Sequence, residues 1–270
     1  MYRHTEYKLS ALEKLFSWLL NTNDFSGKYF LIRMIKKFSP TNIYLKSNYD
    51  FIIKENLNDL TWRLNYFGYK NTTVYDEIKN IPKGACFIDI GANIGTFSMI
   101  ADKAIGESGL IICFEPNPVI YSDLIKNLSA NNLNANILPL NMAISGETLL
   151  GSLTYDPTHS GVSHLSGESG NDLGVFVAKW HDLRFIEKLI GERDIYIKID
   201  VGGAEAAVLQ SIETLIIGKN IKKVIVELDD EYLERFGDSK KVVYTLMEKF
   251  GFSAKFNYSK KHYDEVFQKI

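Results

Sequence analysis

The chain has 270 residues, 46% hydrophobic and 24% charged, with a formal net charge of −2. That composition supplies a sizeable core and excludes global disorder. The near-neutral balance gives no argument for a nucleic-acid partner, and RNA in particular is disfavoured. The two cysteines, Cys86 and Cys113, both fall in apolar runs and read as buried reduced thiols, with no metal-ligand spacing. No apolar run approaches the roughly 20 residues of a membrane span. No signal peptide is visible, so a cytoplasmic location is the default expectation.

Residues 8–20 place Leu9, Leu12, Leu15, Phe16, Leu19 and Leu20 on one predicted helical face. That face is expected to pack on the main domain or on a second copy, so a homodimer is conceivable. Residues 25–80 are rich in aromatic residues and asparagine. Residues 1–80 therefore read as a mostly helical extension, and Pro82-Lys83-Gly84 breaks the chain before a second region, 81–270. From there strands and helices alternate: strand 85–90, helix 96–105, strand 110–115, helix 118–131, strand 136–143, strand 196–201, helix 204–217, strand 224–228 and helix 239–250. Residues 252–256 and 265–270 read as a closing hairpin. Short all-apolar strands between amphipathic helices predict an α/β fold, a doubly wound and mostly parallel sheet covered on both faces. Residues 145–183, rich in Gly, Ser, His and Asp, interrupt the alternation. With two strand-like pieces at 152–155 and 175–178, they read as a substrate-binding insert.

Asp89-Ile-Gly-Ala-Asn-Ile-Gly95 joins the first of these core strands to its helix. Strand, glycine turn and helix in that order build a ligand-binding corner. A dinucleotide pyrophosphate wants bare N–H groups there and no nearby anion, so Asp89 argues against it. A carboxylate suits S-adenosylmethionine (SAM), which carries a sulfonium and an ammonium and no phosphate. Glu115, 20 residues after Gly95 and followed by a turn that Pro116 and Pro118 fix, has the position of an acid that accepts both ribose hydroxyls. Ribose recognition alone does not separate SAM from NAD, but the Gly-x-Gly-x-x-Gly turn that an NAD-dependent oxidoreductase predicts is absent.

FIDIGANIGTFS, then FEPNP, then IKIDVGGAE, in this order, resemble the FkbM-like methyltransferases. The resemblance spans residues 84 to about 230. It implies a SAM-dependent enzyme with a seven-stranded, doubly wound Rossmann-like fold, methylating hydroxyl oxygens of sugars, glycolipids or other small natural products. Carried over position by position, it assigns Asp89, Gly91, Ala92, Asn93 and Gly95 to the methionine end of SAM. Glu115 becomes the ribose acid, Asn117 lies beside the adenosine, and Asn141 to Ala143 take the adenine contacts. Asp200 faces the reaction centre and Glu205 opens the next helix; both are candidate catalytic acids. One departure stands out. The family usually reads Asp-Val-Glu-Gly-Ala-Glu where this chain has Asp200-Val-Gly-Gly-Ala-Glu205, so an acid is missing at Gly202. A SAM-binding protein with reduced or lost transfer is the alternative this leaves open.

An alcohol is a poor nucleophile near neutral pH, so O-methylation gains from a base. Asp200, at the C-terminal end of a core strand, is the first candidate, with a helix-capping or SAM-ammonium role as the other reading. Glu205 is a candidate through the resemblance, against a helix-dipole role. His159 and His164, in the insert, are further candidates because imidazole titrates near neutrality; exposed loop histidines without a role are the competing reading. Trp180 either stacks on a sugar face or is simply buried.

Overall fold

The computed structural model describes residues 7–22, 43–68, 72–162, 164–166, 173–254 and 260–270, with isolated positions between 27 and 37. Its centre is a seven-stranded sheet. The strands are β3 (Cys86–Ile90), β4 (Leu110–Phe114), β5 (Asn136–Leu140), β10 (Ile195–Ile199), β11 (Ile221–Asp229), β12 (Phe252–Ser253) and β13 (His262–Lys269), preceded in the chain by β1 (Tyr44–Lys46) and β2 (Ile52–Lys54). Across the sheet they run β12-β13-β11-β10-β3-β4-β5, parallel except for β13, which is antiparallel to both neighbours. The doubly wound expectation therefore holds. β3 and β4 are buried along their whole length, which is why they read as unbroken apolar runs. Chain order reverses between β3 and β10, and open α/β sheets bind ligands at such a switch point, beyond the carboxyl ends of the strands.

Helices α4 (Thr96–Ile105) and α5 (Pro118–Ala130) follow β3 and β4. α6 (Arg184–Ile190) precedes β10, α7 (Glu205–Ser211) and α8 (Glu213–Gly218) follow it, and α9 (Asp230–Arg235) and α10 (Lys240–Lys249) lie between β11 and β12. The two faces of the sheet carry separate apolar clusters. One joins Ile88, Ile112, Ile197 and Val226 to Val208, Met247 and Trp180. Trp180 is fully buried, its Nε1–H donating to Glu187 at 3.0 Å, so it is no sugar platform.

The opposite cluster joins Phe87, Ile111 and Cys113 to residues of the first 80, among them Leu45, Ile53, Trp62, Tyr66 and Ile78. That segment holds α1 (Ala11–Asn21), the antiparallel pair β1 and β2, α2 (Leu60–Phe67) and α3 (Thr73–Lys79). The leucine face predicted for α1 is only in part the buried one. Glu13, Ser17 and Leu20 point inward, while Leu12 and Leu15 are about half exposed. The physical reason lies in β1. Its outward N–H groups need acceptors, and Glu13 Oε1 and Ser17 Oγ accept from Tyr44 and Lys46 at 2.9 Å each. β2 is closed the same way by α5: Asn131 Oδ1 accepts from Ile52 and Asn127 Oδ1 from Lys54.

The insert begins earlier than expected. The predicted strand 136–143 stops at Leu140. Ala143–Ile144 (β6) then joins β7 (Leu149–Thr154), β8 (His164–Ser166) and β9 (Leu173–Ala178) in a second sheet, order β6-β9-β7-β8. Pro139 lacks an N–H and sits on edge strand β5, where a missing donor is tolerated. The predicted helix 204–217 likewise divides at Ile212 into α7 and α8.

Candidate active site

A cavity of about 910 Å³, counting its mouth, opens at the carboxyl ends of β3, β4 and β10. Its first wall is the turn after β3. Gly91 and Ala92 both donate to the Phe114 carbonyl, at 3.0 and 2.9 Å, drawing the turn over the tip of β4. Asp200 donates its N–H to the Ile90 carbonyl, so the tips of β3 and β10 touch. This contact requires glycine at 91: φ is +84°, and a Cβ would stand 1.8 Å from the Asp200 carbonyl oxygen.

Glu115 is buried at the end of β4 and lines the cavity. Its Oε2 accepts the Asn93 N–H and its Oε1 the Asn117 N–H, both at 2.9 Å. Burial pushes its carboxyl up to about 7, against the downward pull of those two bonds. Each oxygen keeps a lone pair for a further donor. Met142, Ala143 and Ile144 continue this wall.

The other wall carries Asp200, Val201, Gly202 and Ala204. Asp200 Oδ2 accepts from Lys198 Nζ at 2.8 Å. Lys198 is itself buried on β10, 5.1 Å from the centre of the Phe97 ring and 3.9 Å from Asp89 Oδ1. Burial raises the proton affinity of Asp200, but Lys198 and the neighbouring Glu227 outweigh it, and its pKa lies below the ordinary carboxylate value. Burial also disfavours the Lys198 cation, yet Asp200 and Asp89 together hold it protonated.

Several residues singled out by sequence stand behind these walls. Asp89 is fully buried and turned into the core, where its Oδ2 accepts from Ser98 Oγ at 2.6 Å. Its Oδ1 has no hydrogen-bond partner among the described residues, and burial raises its pKa despite Lys198. Gly95 caps α4 against Leu124. Asn117 caps α5, its Oδ1 accepting from Val119 and Ile120. Asn141 donates to the Glu115 and Pro116 carbonyls, pinning the turn after β4. Glu205 is buried, with Oε1 accepting from Val201 and Gly203 at 3.2 and 3.1 Å, which clamps the loop after β10; burial pushes its carboxyl up to about 7. Gly202 has φ +68°, a left-handed conformation in which glutamate would be strained. His159 is not among the cavity's lining residues, although Ser160 and Gly161 beside it are. His164 lies on β8, and its side chain falls outside the described residues.

The cavity also draws on side chains that the sequence did not announce. Thr61 and Asn65 of α2 line it together with Ser160 and Gly161 of the insert. The two segments are tied across about a hundred residues. Asp59 Oδ1 accepts from Ser160, Thr61 Oγ1 from Gly161, and the Thr158 carbonyl from Leu60. Lys198 had a signal, a lone cation inside an apolar strand; Glu227 and His262 had none short of knowing the sheet register.

A seven-stranded doubly wound sheet, a glycine turn after its first strand and an acid after its second define the Rossmann-like methyltransferases. The family model of the methyltransferase FkbM domain matches residues 89–254, and the chain belongs to that family; its cofactor is SAM. A stretch of 97 residues is 35% identical to Methyltransferase sdnD of Sordaria araneosa, covering 36% of this chain and 37% of that protein. Solved structures that align with the chain include M. jannaschii TYW2 in complex with AdoMet (12% identity, 86% of this chain and 88% of that one, TM-score 0.42). A putative rRNA methylase from Clostridium thermocellum is another (14% identity, 76% and 98%, TM-score 0.45). The cavity fits the cofactor. It offers a buried carboxylate with spare acceptor capacity, an apolar wall and a backbone turn open to close approach. Among the described residues no helix is long and apolar enough to cross a membrane.

Proposed function

We propose that this chain O-methylates a hydroxyl group of a sugar, a glycolipid or another small natural product. The observation that carries this reading is the pairing of two unlike carboxylates in one cavity. Glu115 is near its own midpoint at neutral pH and suits hydroxyl donors, while Asp200 is held ionised by Lys198 and suits the work of a base. SAM supplies an electrophilic methyl group. On the cofactor side, Glu115 takes the ribose hydroxyls, the Gly91-Ala92-Asn93 turn takes the methionine end, and Met142 and Ala143 flank the adenine. Asp89, Gly95, Asn117 and Asn141 serve by holding that wall.

On the acceptor side, Asp200 receives the proton of the reacting hydroxyl. Thr61, Asn65 and Ser160 offer uncharged hydroxyl and amide groups, which suit a polyol better than a charged acceptor. Glu205 acts through the loop that it clamps, not on the acceptor. The test is incubation with methyl-labelled SAM and a panel of methyl glycosides, read by transfer of label and a mass gain of one methylene per product. Label on a hydroxyl oxygen supports the reading. Tight SAM binding without transfer to any hydroxyl, from this panel or from a cell extract, favours a SAM-binding protein that has lost transfer at Gly202.

A further inference from the structure

Asp200 is the inner end of a chain of ionisable groups that leaves the cavity. β11 lies beside β10 and carries Glu227; β13 pairs with β11, placing Asp264 opposite Glu227 and His262 opposite Asp229. Ile199 pairs with Val226, so Asp200 and Glu227 follow side by side at the ends of β10 and β11, and each carboxyl acts on the proton affinity of the other. On its other side, Glu227 Oε1 lies 2.9 Å from His262 Nε2. Asp200 lines the cavity, Glu227 is mostly covered, and the His262 side chain is 57% exposed to solvent.

Two carboxyl groups side by side disfavour double ionisation, so one of them tends to carry a proton. Lys198 decides which, because its ammonium sits on Asp200 and favours the anion there. Glu227 therefore holds the proton. Charge counting agrees: the cations acting on Asp89, Asp200, Glu227 and Asp264 among the described residues are Lys198 and His262, with Asp229 at the outer edge beside the imidazole. Burial, then the charge of Asp200, push Glu227 up to about 8, while the His262 bond pulls the other way. The bond to Glu227 raises His262 to about 9, against burial. Burial likewise lifts Asp264 to about 6.

We propose that Glu227 and His262 are positioning residues for Asp200: Glu227 donates its carboxyl proton to Asp200 and fixes that side chain, and His262 links the pair to solvent. This rests on Asp200 acting as the base. Each hydroxyl methylated gives up one proton. Asp200 takes it, so the three groups hold one proton more than at rest. The exposed imidazole then loses one to water, and redistribution among the three restores the Asp200 carboxylate.

The test uses the full chain without ligand, with glutamate side chains labelled with carbon-13 at the carboxyl, titrated by NMR. Glu227 is expected to titrate near 8. In Asp200→Asn its midpoint should fall toward the ordinary glutamate value, as far as burial allows. In His262→Gln it should rise, because the positive charge beside the anion is gone. Unchanged near-UV circular dichroism controls for folding. A wild-type midpoint near 4 to 5, or one that ignores Asp200→Asn, overturns the proposal and leaves a plain interstrand ion pair. The two readings fail separately. If Asp200→Asn keeps full transfer to methyl glycosides, the base assignment fails. If it loses transfer while the Glu227 midpoint ignores both neighbours, only the chain fails.

Discussion

Replacing Glu115 with glutamine separates the cofactor contact from the fold. Each carboxylate oxygen already accepts one backbone N–H, from Asn93 and Asn117, and alanine would orphan both. Glutamine keeps the size and one acceptor oxygen. What it removes is the anion that two ribose hydroxyls would meet. Losing that charge assistance is worth about 1–3 kcal/mol, or roughly 5- to 150-fold in SAM affinity. A second signature comes from protons. The free carboxyl is pushed up to about 7 by burial. Hydroxyl donors favour its ionised form, so SAM binding below pH 7 must first release a proton. Wild-type affinity should then fall by up to about tenfold per pH unit below that point and level off above it. The glutamine variant should show no such slope. Stability without SAM should move oppositely. The folded pKa of Glu115 exceeds its unfolded value, so its contribution is full below pH 4.5 and is lost as pH rises through 7, on the order of 3 kcal/mol. Calorimetric titration with SAM between pH 5.5 and 7.5 is the assay. A wild-type affinity flat across that range, with the variant within about twofold of it, would refute the ribose assignment.

Three further substitutions probe other parts of the site. Asp200→Asn should bind SAM within about threefold of wild type yet transfer methyl about 10²–10⁴-fold more slowly; collapse of binding instead would put Asp200 on the cofactor wall. Gly91→Ala forces a Cβ to 1.8 Å from the Asp200 carbonyl oxygen at φ +84°, so β3 and β10 must part at their tips. Urea unfolding should show a loss of about 3 kcal/mol or more, and an unchanged midpoint would deny the contact. Asn127→Ala removes an acceptor for Lys54 and a donor to the Ile94 carbonyl, leaving two buried groups unpaired. About 2 kcal/mol should go in the same assay; no loss would mean that the β1–β2 pair is not held by α5.

The central sheet was legible because β3, β4 and β10 are buried and announce themselves as apolar runs between amphipathic helices. That the glycine turn, Glu115 and Asp200 share one cavity was legible for a related reason: in such sheets the crevice lies just past strand ends, so a short motif locates its lining without tertiary knowledge. α1 shows where periodicity fails. Its leucines mark one face, but the docking face was chosen by Glu13 and Ser17, whose oxygens satisfy a strand edge 30 residues away. Hydrophobic patterning carries no record of which backbone groups need acceptors. Thr61 and Asn65 were hidden for a similar reason, since they reach the cavity only because Asp59 and Thr61 bind the loop at Ser160 and Gly161. Asp89 was read as facing the ligand; its side chain instead alternates inward, to Ser98 and Lys198.

Lys198 is what makes the acids of this site unlike one another. Asp89, Asp200 and Glu115 converge on the same strand tips, and Asp89 and Asp200 both raise the proton affinity of Glu115. Left to themselves, buried acids this close would hold protons, and a base must be ionised before its substrate arrives. One ammonium at 2.8 Å from Asp200 and 3.9 Å from Asp89 breaks the symmetry in favour of Asp200. Its burial keeps water from screening that preference, and the Phe97 face, 5.1 Å away, packs against it without competing for its protons. Removing the cation in Lys198→Met should therefore raise the pH at which Asp200 ionises and shift the onset of methyl transfer to more alkaline pH. A pH–rate profile unmoved by that change would mean that Asp200 does not owe its charge to Lys198, and the division of labour between the two cavity carboxylates would lose its cause.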